Sequence, residues 1–203
     1  MKQLILATHN PNKVREIRQL LAGEPVEVLS LSDAGWTEEI AENGETFEEN
    51  ALIKALTVFK ATGRAVLADD SGLTVEAMGG APGVYSARYM GEGIPYSVKN
   101  QAIIDLLARV PEKGRGAAFE CVMAFVSPDK KGRPVRKTAR GKVEGVIARE
   151  PAGKGGFGYD PIFFLPEKNC TMAELSAADK NTISHRGRAL RAILPEIIKW
   201  SRN

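Results

Sequence analysis

Cysteine is nearly absent: Cys121 and Cys170 are the two in 203 residues, far apart and with no second ligand at metal spacing. Cys121 lies in an apolar, strand-like run and reads as an inert buried thiol. Two unpatterned cysteines fit a reducing compartment, so a cytoplasmic location is expected. No run approaches the length that spans a bilayer. The apolar stretch in MKQLILATHN is ended at once by polar residues, so it lacks the form of a signal peptide. No internal repeat and no low-complexity tract is visible. Charge of one sign is scarce as well, 28 Lys and Arg against 25 acids, a net +3. That excess is too small for a nucleic-acid protein, and no Arg/Lys stripe or recognised motif supports one. A local basic cluster aimed at a small anion stays open.

What is present is ordinary globular material, 43% hydrophobic and 26% charged, enough for one domain or two lobes sharing a sheet. A strand is expected at residues 2–7, a polar loop at 8–13, a helix at 14–22 and a second strand at 26–31. An acidic loop covers residues 37–45. Residues 46–62 form the clearest helix, with Thr46 and Glu49 as a capping box and Phe47, Ala51, Ala55, Val58, Phe59 and Thr62 on one face. Residues 97–110 read as another helix, with Ala102, Ile103, Leu106, Leu107 and Val110 inward. A hairpin is expected from 117–126 and 135–147 around SPDKKGRP, and a final helix over 186–202 that Pro195 should kink or restart. Helices and strands without strict alternation indicate an α/β fold on a mixed, twisted sheet.

VLADDSGL, residues 66–73, poses the chemical question: an apolar strand runs into two adjacent carboxylates, Asp69 and Asp70. Buried carboxylates are costly unless paired or metal-bound. Ser71 and Gly72 are expected to end the strand there, placing the acids at its carboxyl end, the edge where open α/β sheets bind ligands. Capping a turn is the competing reading.

Three groupings extend it. Thr8, Asn10 and Lys13 occupy a strand-to-helix turn, where backbone N–H groups and the helix dipole favour an anion. The Walker pattern is missing, and an ordinary capping loop is the alternative. Glu42 with Asp69 and Asp70 forms an acid set suited to Mg²⁺, which takes one or two carboxylates plus phosphate oxygens and water. Lys54 is the companion cation, one turn from Asn50, unless it and Glu42 lie on a solvated surface. Last, GGFGYDP and Ser184-His185-Arg186 combine close backbone approach, a stacking face on Phe157 or Tyr159, and base-edge donors in Lys180, His185 and Arg186. Alternatively, Phe157 and Tyr159 are core and the donors sit on the surface. His9 has no partner visible in sequence. The economical sum is a metal-dependent nucleotide phosphohydrolase or binder.

THNPNK, ENGETFEENALIKA, ADDSGL, GGAPGVYSARY, EPAGKGGFGYDPIFF and ISHRG, in that order, resemble the non-canonical purine nucleoside triphosphate pyrophosphatases, the ITPase or dITP/XTP pyrophosphatase family, nearly end to end. The resemblance implies Mg²⁺-dependent hydrolysis of ITP, dITP and XTP to monophosphate and pyrophosphate. It further implies one two-lobed α/β domain over residues 1–203 with a central cleft, and a homodimer; with no basic stripe and no spanning run, no nucleic-acid or membrane partner is expected. It carries Thr8, His9, Asn10, Pro11, Asn12 and Lys13 onto a phosphate loop, with His9, Pro11 and Asn12 at variable positions. Lys54 and Ser71 become substrate contacts, and Phe157, Gly158, Tyr159, Asp160, Lys180, His185 and Arg186 a base pocket. Glu42 and Asp70 become metal ligands, Asp70 also the proton acceptor, with Asp69 its support. A regulator that holds nucleotide without cleaving it is the rival reading; it has little use for a carboxylate beside the phosphates.

Overall fold

Three buried residues at the start of the chain, Leu4, Ile5 and Leu6, set up the sheet. They lie in β1 (Lys2–Leu6), which pairs in parallel with β2 (Val26–Ser30) on one side and β3 (Ala65–Val75) on the other. Strands flanked on both sides read as continuous apolar runs. The computed structural model describes residues 1–202. Its strand order is β2-β1-β3-β4-β5-β6-β7, where β4 (Gly116–Pro128) and β5 (Pro134–Ile147) are the expected hairpin. The short β6 (Phe163–Leu165) and β7 (Cys170–Thr171) pair antiparallel at the edge. Five α-helices among the described residues accompany the sheet: α1 (Pro11–Leu20), α2 (Phe47–Thr62), α3 (Tyr96–Leu106), α4 (Ala177–Ile183) and α5 (His185–Arg202). The mixed α/β class expected from the sequence is the one found.

The chain divides into two compact units. The first takes Met1–Asp70, Cys121–Gly141 and the chain from Arg186 onward. Side chains alternate across a strand, so β1, β3 and β4 feed two cores. Leu4, Leu6, Leu67 and Met123 pack with Ile17 of α1 and Ile193 of α5. Ile5, Val66, Val122 and Val126 pack instead with Ala51, Ala55 and Val58 of α2. The second unit takes Ser71–Glu120 and Lys142–His185, with a core that includes Leu73, Ile103, Leu107, Phe119, Phe163 and Met172.

Several boundaries differ from expectation. α1 begins at Pro11, not Val14: Asn10 Oδ1 accepts from the backbone N–H groups of Asn12 and Lys13, and Pro11 fits the first helical position, where no N–H is needed. Lys13 therefore stands in the first helical turn, not in a loop. α2 starts after Thr46 with the predicted capping box and stops at Gly63, whose φ of 65° is the left-handed conformation glycine adopts without strain. β3 is not broken by Ser71 and Gly72 but continues to Val75. The acids lie just beyond the stretch where β3 pairs with β1, which ends at Leu6–Leu67. α3 ends at Leu106; its inward face holds Ile103 and Ile104, Leu107 is buried just past its end, and Leu106 is exposed. Pro195 lies within a single helical span.

Candidate active site

The adjacency of Asp69 and Asp70 hides a division of labour. Residues 65 and 67 of β3 face the core shared with α1 and α5, residues 66 and 68 the core shared with α2. Continuing the alternation sends Asp69 toward α1 and α5, and Asp70 toward α2. The ion pairs follow. Asp69 Oδ2 lies 2.9 Å from Lys13 Nζ of α1 and accepts from Arg186 Nε of α5 at 3.3 Å. Asp70 Oδ1 lies 3.5 Å from Lys54 Nζ of α2. The same Lys54 ammonium donates to Glu42 Oε2 at 2.8 Å, which brings the acidic loop onto α2.

Electrostatics separates the two carboxyls further. Burial works against the Asp69 anion, but Lys13, Arg186 and Lys54 outweigh it and hold this carboxyl far below its ordinary value. Asp70 moves the other way: burial raises it, and the charges of Glu42 and Asp69 add to that, against the pull of Lys54 and Lys13. Lys54 is itself buried, which disfavours its charge, yet Asp70, Asp69 and Glu42 hold the ammonium above its usual value. The solvated-surface alternative for Lys54 is thereby excluded, since it is 5% exposed. Arg186 is fully enclosed, its Nη1 on Glu16 and its Nε on Asp69. Burial also lifts the Cys121 thiol to about 12, in keeping with an inert thiol.

In the loop before α1, much of the polar equipment serves the cap. Thr8 Oγ1 accepts from the Asn10 N–H at 3.2 Å, and Asn10 Oδ1 takes the two N–H groups behind it. The donors expected to be open to an anion are thus partnered by Asn10, and the Lys13 ammonium, in the first turn of α1, is the charge beside them. His9, expected to lack a partner, meets the Glu38 carbonyl through Nε2 at 3.0 Å; a carbonyl only accepts, so Nε2 carries the proton. Thr8, His9 and Pro11 also line a cavity of about 510 Å³ with Arg15, Arg18 and Ser30.

The second unit holds the glycine-rich segment. Asp160 Oδ2 accepts from the Phe157 N–H and from Lys180 Nζ, both at 2.7 Å, and Lys180 Nζ stands 4.7 Å from the Phe157 ring centroid. A Cβ on Gly156, whose φ is 67°, would fall 2.1 Å from that same carboxylate oxygen, so this turn requires glycine. Tyr159 is core: 3% exposed, its hydroxyl donating to the Ser86 carbonyl at 2.8 Å, its ring edge-on to Tyr96 at 5.1 Å. Of the two candidate stacking faces, Phe157 is the one that keeps solvent access. Gly158 offers its carbonyl to Asn100 Nδ2 at 3.1 Å. His185 stacks on Phe119 with centroids 4.8 Å apart, and Ser71, half-buried, continues β3 into this unit.

Lys13, Asp69 and Arg186 therefore form one set of ion pairs and Lys54, Asp70 and the half-buried Glu42 another, the two meeting through the adjacency of Asp69 and Asp70, while Phe157, Asp160 and Lys180 form a separate cluster. Sequence reasoning missed Glu16, although its place one turn beyond Lys13 on α1 was a signal. It also missed Asn100 and Ser86, which act through backbone carbonyls and leave no mark in a residue pattern.

A sheet with paired acids and lysines beside a capped helix start, and separately an aromatic-glycine segment, defines a nucleotide-handling α/β protein. Residues 4–196 match the profile of the Ham1 family, and the chain belongs to it. A dITP/XTP pyrophosphatase of Geobacter sulfurreducens is 50% identical over 200 residues, covering 98% of each chain. A dITP/XTP pyrophosphatase of Bacillus subtilis is 48% identical over 193 residues, 95% of this chain and 96% of the relative. The solved structure of a HAM1 protein from Coxiella burnetii superposes with a TM-score of 0.87 at 40% identity, covering 98% of this chain and all of that one. The family expected from the sequence motifs is the one found.

Proposed function

We infer that this chain is a nucleoside triphosphate pyrophosphatase that hydrolyses non-canonical purine nucleotides, ITP, dITP and XTP, to monophosphate and pyrophosphate, clearing deaminated purines from the nucleotide pool. The observation that carries the reading is the convergence of Glu42, from an irregular loop, and Asp70, from a buried strand, on the one Lys54 ammonium. The printed activity of relatives near half identity supports it.

Two carboxylates that share one ammonium, one of them raised by burial and by its acidic neighbours, fit a hard divalent cation that completes its shell with phosphate oxygens and water. Glu42 and Asp70 would hold Mg²⁺, which when bound supplies Lewis-acid neutralisation of phosphate charge. Asp70 takes the proton of the attacking water, a role suited to a carboxyl raised above its ordinary value. Lys13 and Lys54 face the phosphates and gain interaction as negative charge develops. Thr8, His9, Asn10, Pro11 and Asn12 shape the phosphate loop through its cap, and Ser71 adds a hydroxyl. The Phe157, Gly158, Tyr159 and Asp160 segment, with Lys180, His185 and Arg186, receives the base. Arg186 donates only, and His185 donates from whichever nitrogen carries the proton, so the pocket favours a 6-oxo purine over a 6-amino one.

One two-lobed domain over residues 1–203, a homodimer, and no nucleic-acid or membrane partner belong to the same reading. Among the described residues no helix is long and apolar enough to cross a membrane. The free thiols Cys121 and Cys170 support a cytoplasmic location.

Incubation with ITP or ATP plus Mg²⁺, with products separated by chromatography, is the test. Inosine monophosphate and pyrophosphate, formed far faster than the ATP products, are expected. Diphosphate with orthophosphate, or equal use of ATP, overturns the reading, and intact ligand supports the regulator. Light scattering checks the dimer.

A further inference from the structure

Glu42 stands in a stretch, residues 36–46, without helix or strand, so something other than secondary structure must hold its carboxylate at Lys54. Asn50, on the first turn of α2, meets this stretch beside Glu42. Its Oδ1 accepts the Gly44 N–H at 2.8 Å, two residues beyond Glu42. The amide's orientation follows from chemistry: an N–H only donates, so the carbonyl oxygen must face Gly44 and the NH₂ must face away. That NH₂ has no hydrogen-bond partner among the described residues, although Asn50 is fully buried. A buried amide left unpaired costs free energy that a ligand oxygen would recover. Lys54 lies one turn further along α2, on the same face.

Gly44 is the matching half. A Cβ there would come within 2.7 Å of Glu49 Cβ and 2.8 Å of Asn50 Oδ1, so the loop approaches α2 more closely than any other residue type allows.

We propose that Asn50 is a positioning residue for the metal–triphosphate end of the site. Its carbonyl clamps the acidic loop through Gly44 so that Glu42 reaches Lys54 and Asp70, and its NH₂ is the donor kept for an oxygen of the bound metal–phosphate group. The inference rests on the reading of Glu42 and Asp70 as metal ligands.

Binding of Mn²⁺ alone, followed by the loss of its free electron paramagnetic resonance signal, tests it in wild type, Asn50→Ala and Gly44→Ala. Loss of a group that orients a ligand typically weakens metal affinity about 10- to 100-fold, and a loss in that range is expected in both variants. Excess Mg²⁺ should then restore kcat, because the ligands themselves are intact. Gly44 is half-buried in a loop, so Gly44→Ala keeps the test decisive if Asn50→Ala does not fold. Folded variants that bind Mn²⁺ as tightly as wild type, or that lose only thermal stability, overturn the proposal. Wild type that takes up no Mn²⁺ removes the metal reading and this inference together. Wild type that binds Mn²⁺ but leaves ITP intact removes the pyrophosphatase activity alone.

Discussion

The first unit holds its candidate residues by charge against charge; the second holds them mainly by rings and backbone carbonyls. Lys13, Lys54 and Arg186 are set against Asp69, Asp70, Glu42 and Glu16, with Asp69 wholly enclosed. In the second unit, Tyr159 donates to the Ser86 carbonyl, Asn100 to that of Gly158, Lys99 to that of Ala87, and the buried Arg115 to those of Leu107, Ile147 and Ala148. Lys180 with Asp160 is an ion pair there, and even this pair is topped by the Phe157 ring. In the reading proposed above, the ionic pairs would meet the triphosphate and its metal, and the second unit's aromatic and carbonyl-anchored segment the purine.

Asp70→Asn would sharpen this contrast most. Loss of the proton acceptor should lower kcat for ITP by roughly 10²- to 10⁴-fold, more if metal ligation is lost as well. The fold should persist, because the neutral amide relieves repulsion from Glu42 and Asp69. A near wild-type kcat would take the base role away from Asp70.

Asp69→Asn should do the reverse, lowering activity less and stability more. It leaves Arg186 and Lys13 without their shared carboxylate, and removing one partner of a buried pair costs about 3–5 kcal/mol. Urea unfolding measures the loss; a variant as stable as wild type would show that Glu16 alone suffices for Arg186.

The pH dependence separates the same two acids. Asp69, depressed in the folded state, contributes stability that is present above its unfolded value and lost only as pH falls through its much lower folded one. Asp70 is raised, so the folded state gains stability as it protonates, while the proton acceptor is lost. In the metal-free protein, acidification should therefore protonate Asp70 first, at a pH above the ordinary aspartate range, so that Mn²⁺ uptake falls while the fold stays intact and recovers on neutralisation. Loss of circular dichroism in step with loss of Mn²⁺ uptake would contradict this.

In the second unit the effects should be smaller. Lys180→Met keeps a stem beside Phe157 but strands the Asp160 carboxylate. Hydrogen bonds to charged groups contribute about 1.5–3 kcal/mol, so kcat/KM for ITP should drop about 10- to 100-fold and the preference over ATP should narrow. An unchanged ratio would take Lys180 out of base recognition. Tyr159→Phe loses the bond to Ser86 and should cost about 1 kcal/mol in unfolding free energy. A much larger loss would mean that the second unit, too, depends on a buried polar network.

Much of this was legible in the chain. The helix at α2 announced itself by Thr46, Glu49 and its apolar stripe, because caps and periodicity are local physics. The hairpin of β4 and β5 was legible for the same reason, as was Cys121 in its apolar run. Errors arose where a local rule met a neighbour. Ser71 and Gly72 read as breakers, yet β4 lies beside β3 in the sheet and the strand continues past them. Leu106 fitted a helical stripe, but α3 turned its Ile104 side inward instead.

The candidate site divides along the same line. The sequence by itself determined that two carboxylates directly follow an apolar run, that an acidic loop precedes a well-capped helix carrying a lysine, and that glycines flank aromatics before a His-Arg pair. Residue type and spacing suffice for those statements. Only the tertiary structure decided that Asp69 and Asp70 serve opposite faces of the sheet, one bound to α1 and α5 and the other to α2. Only it brought Arg186, from the far end of the chain, to Asp69 and Glu16. The period of two along β3 was present in the sequence throughout. What each face would meet was not, because partners for a buried charge come from elements distant in the chain, and their arrival depends on how the helices pack against the sheet.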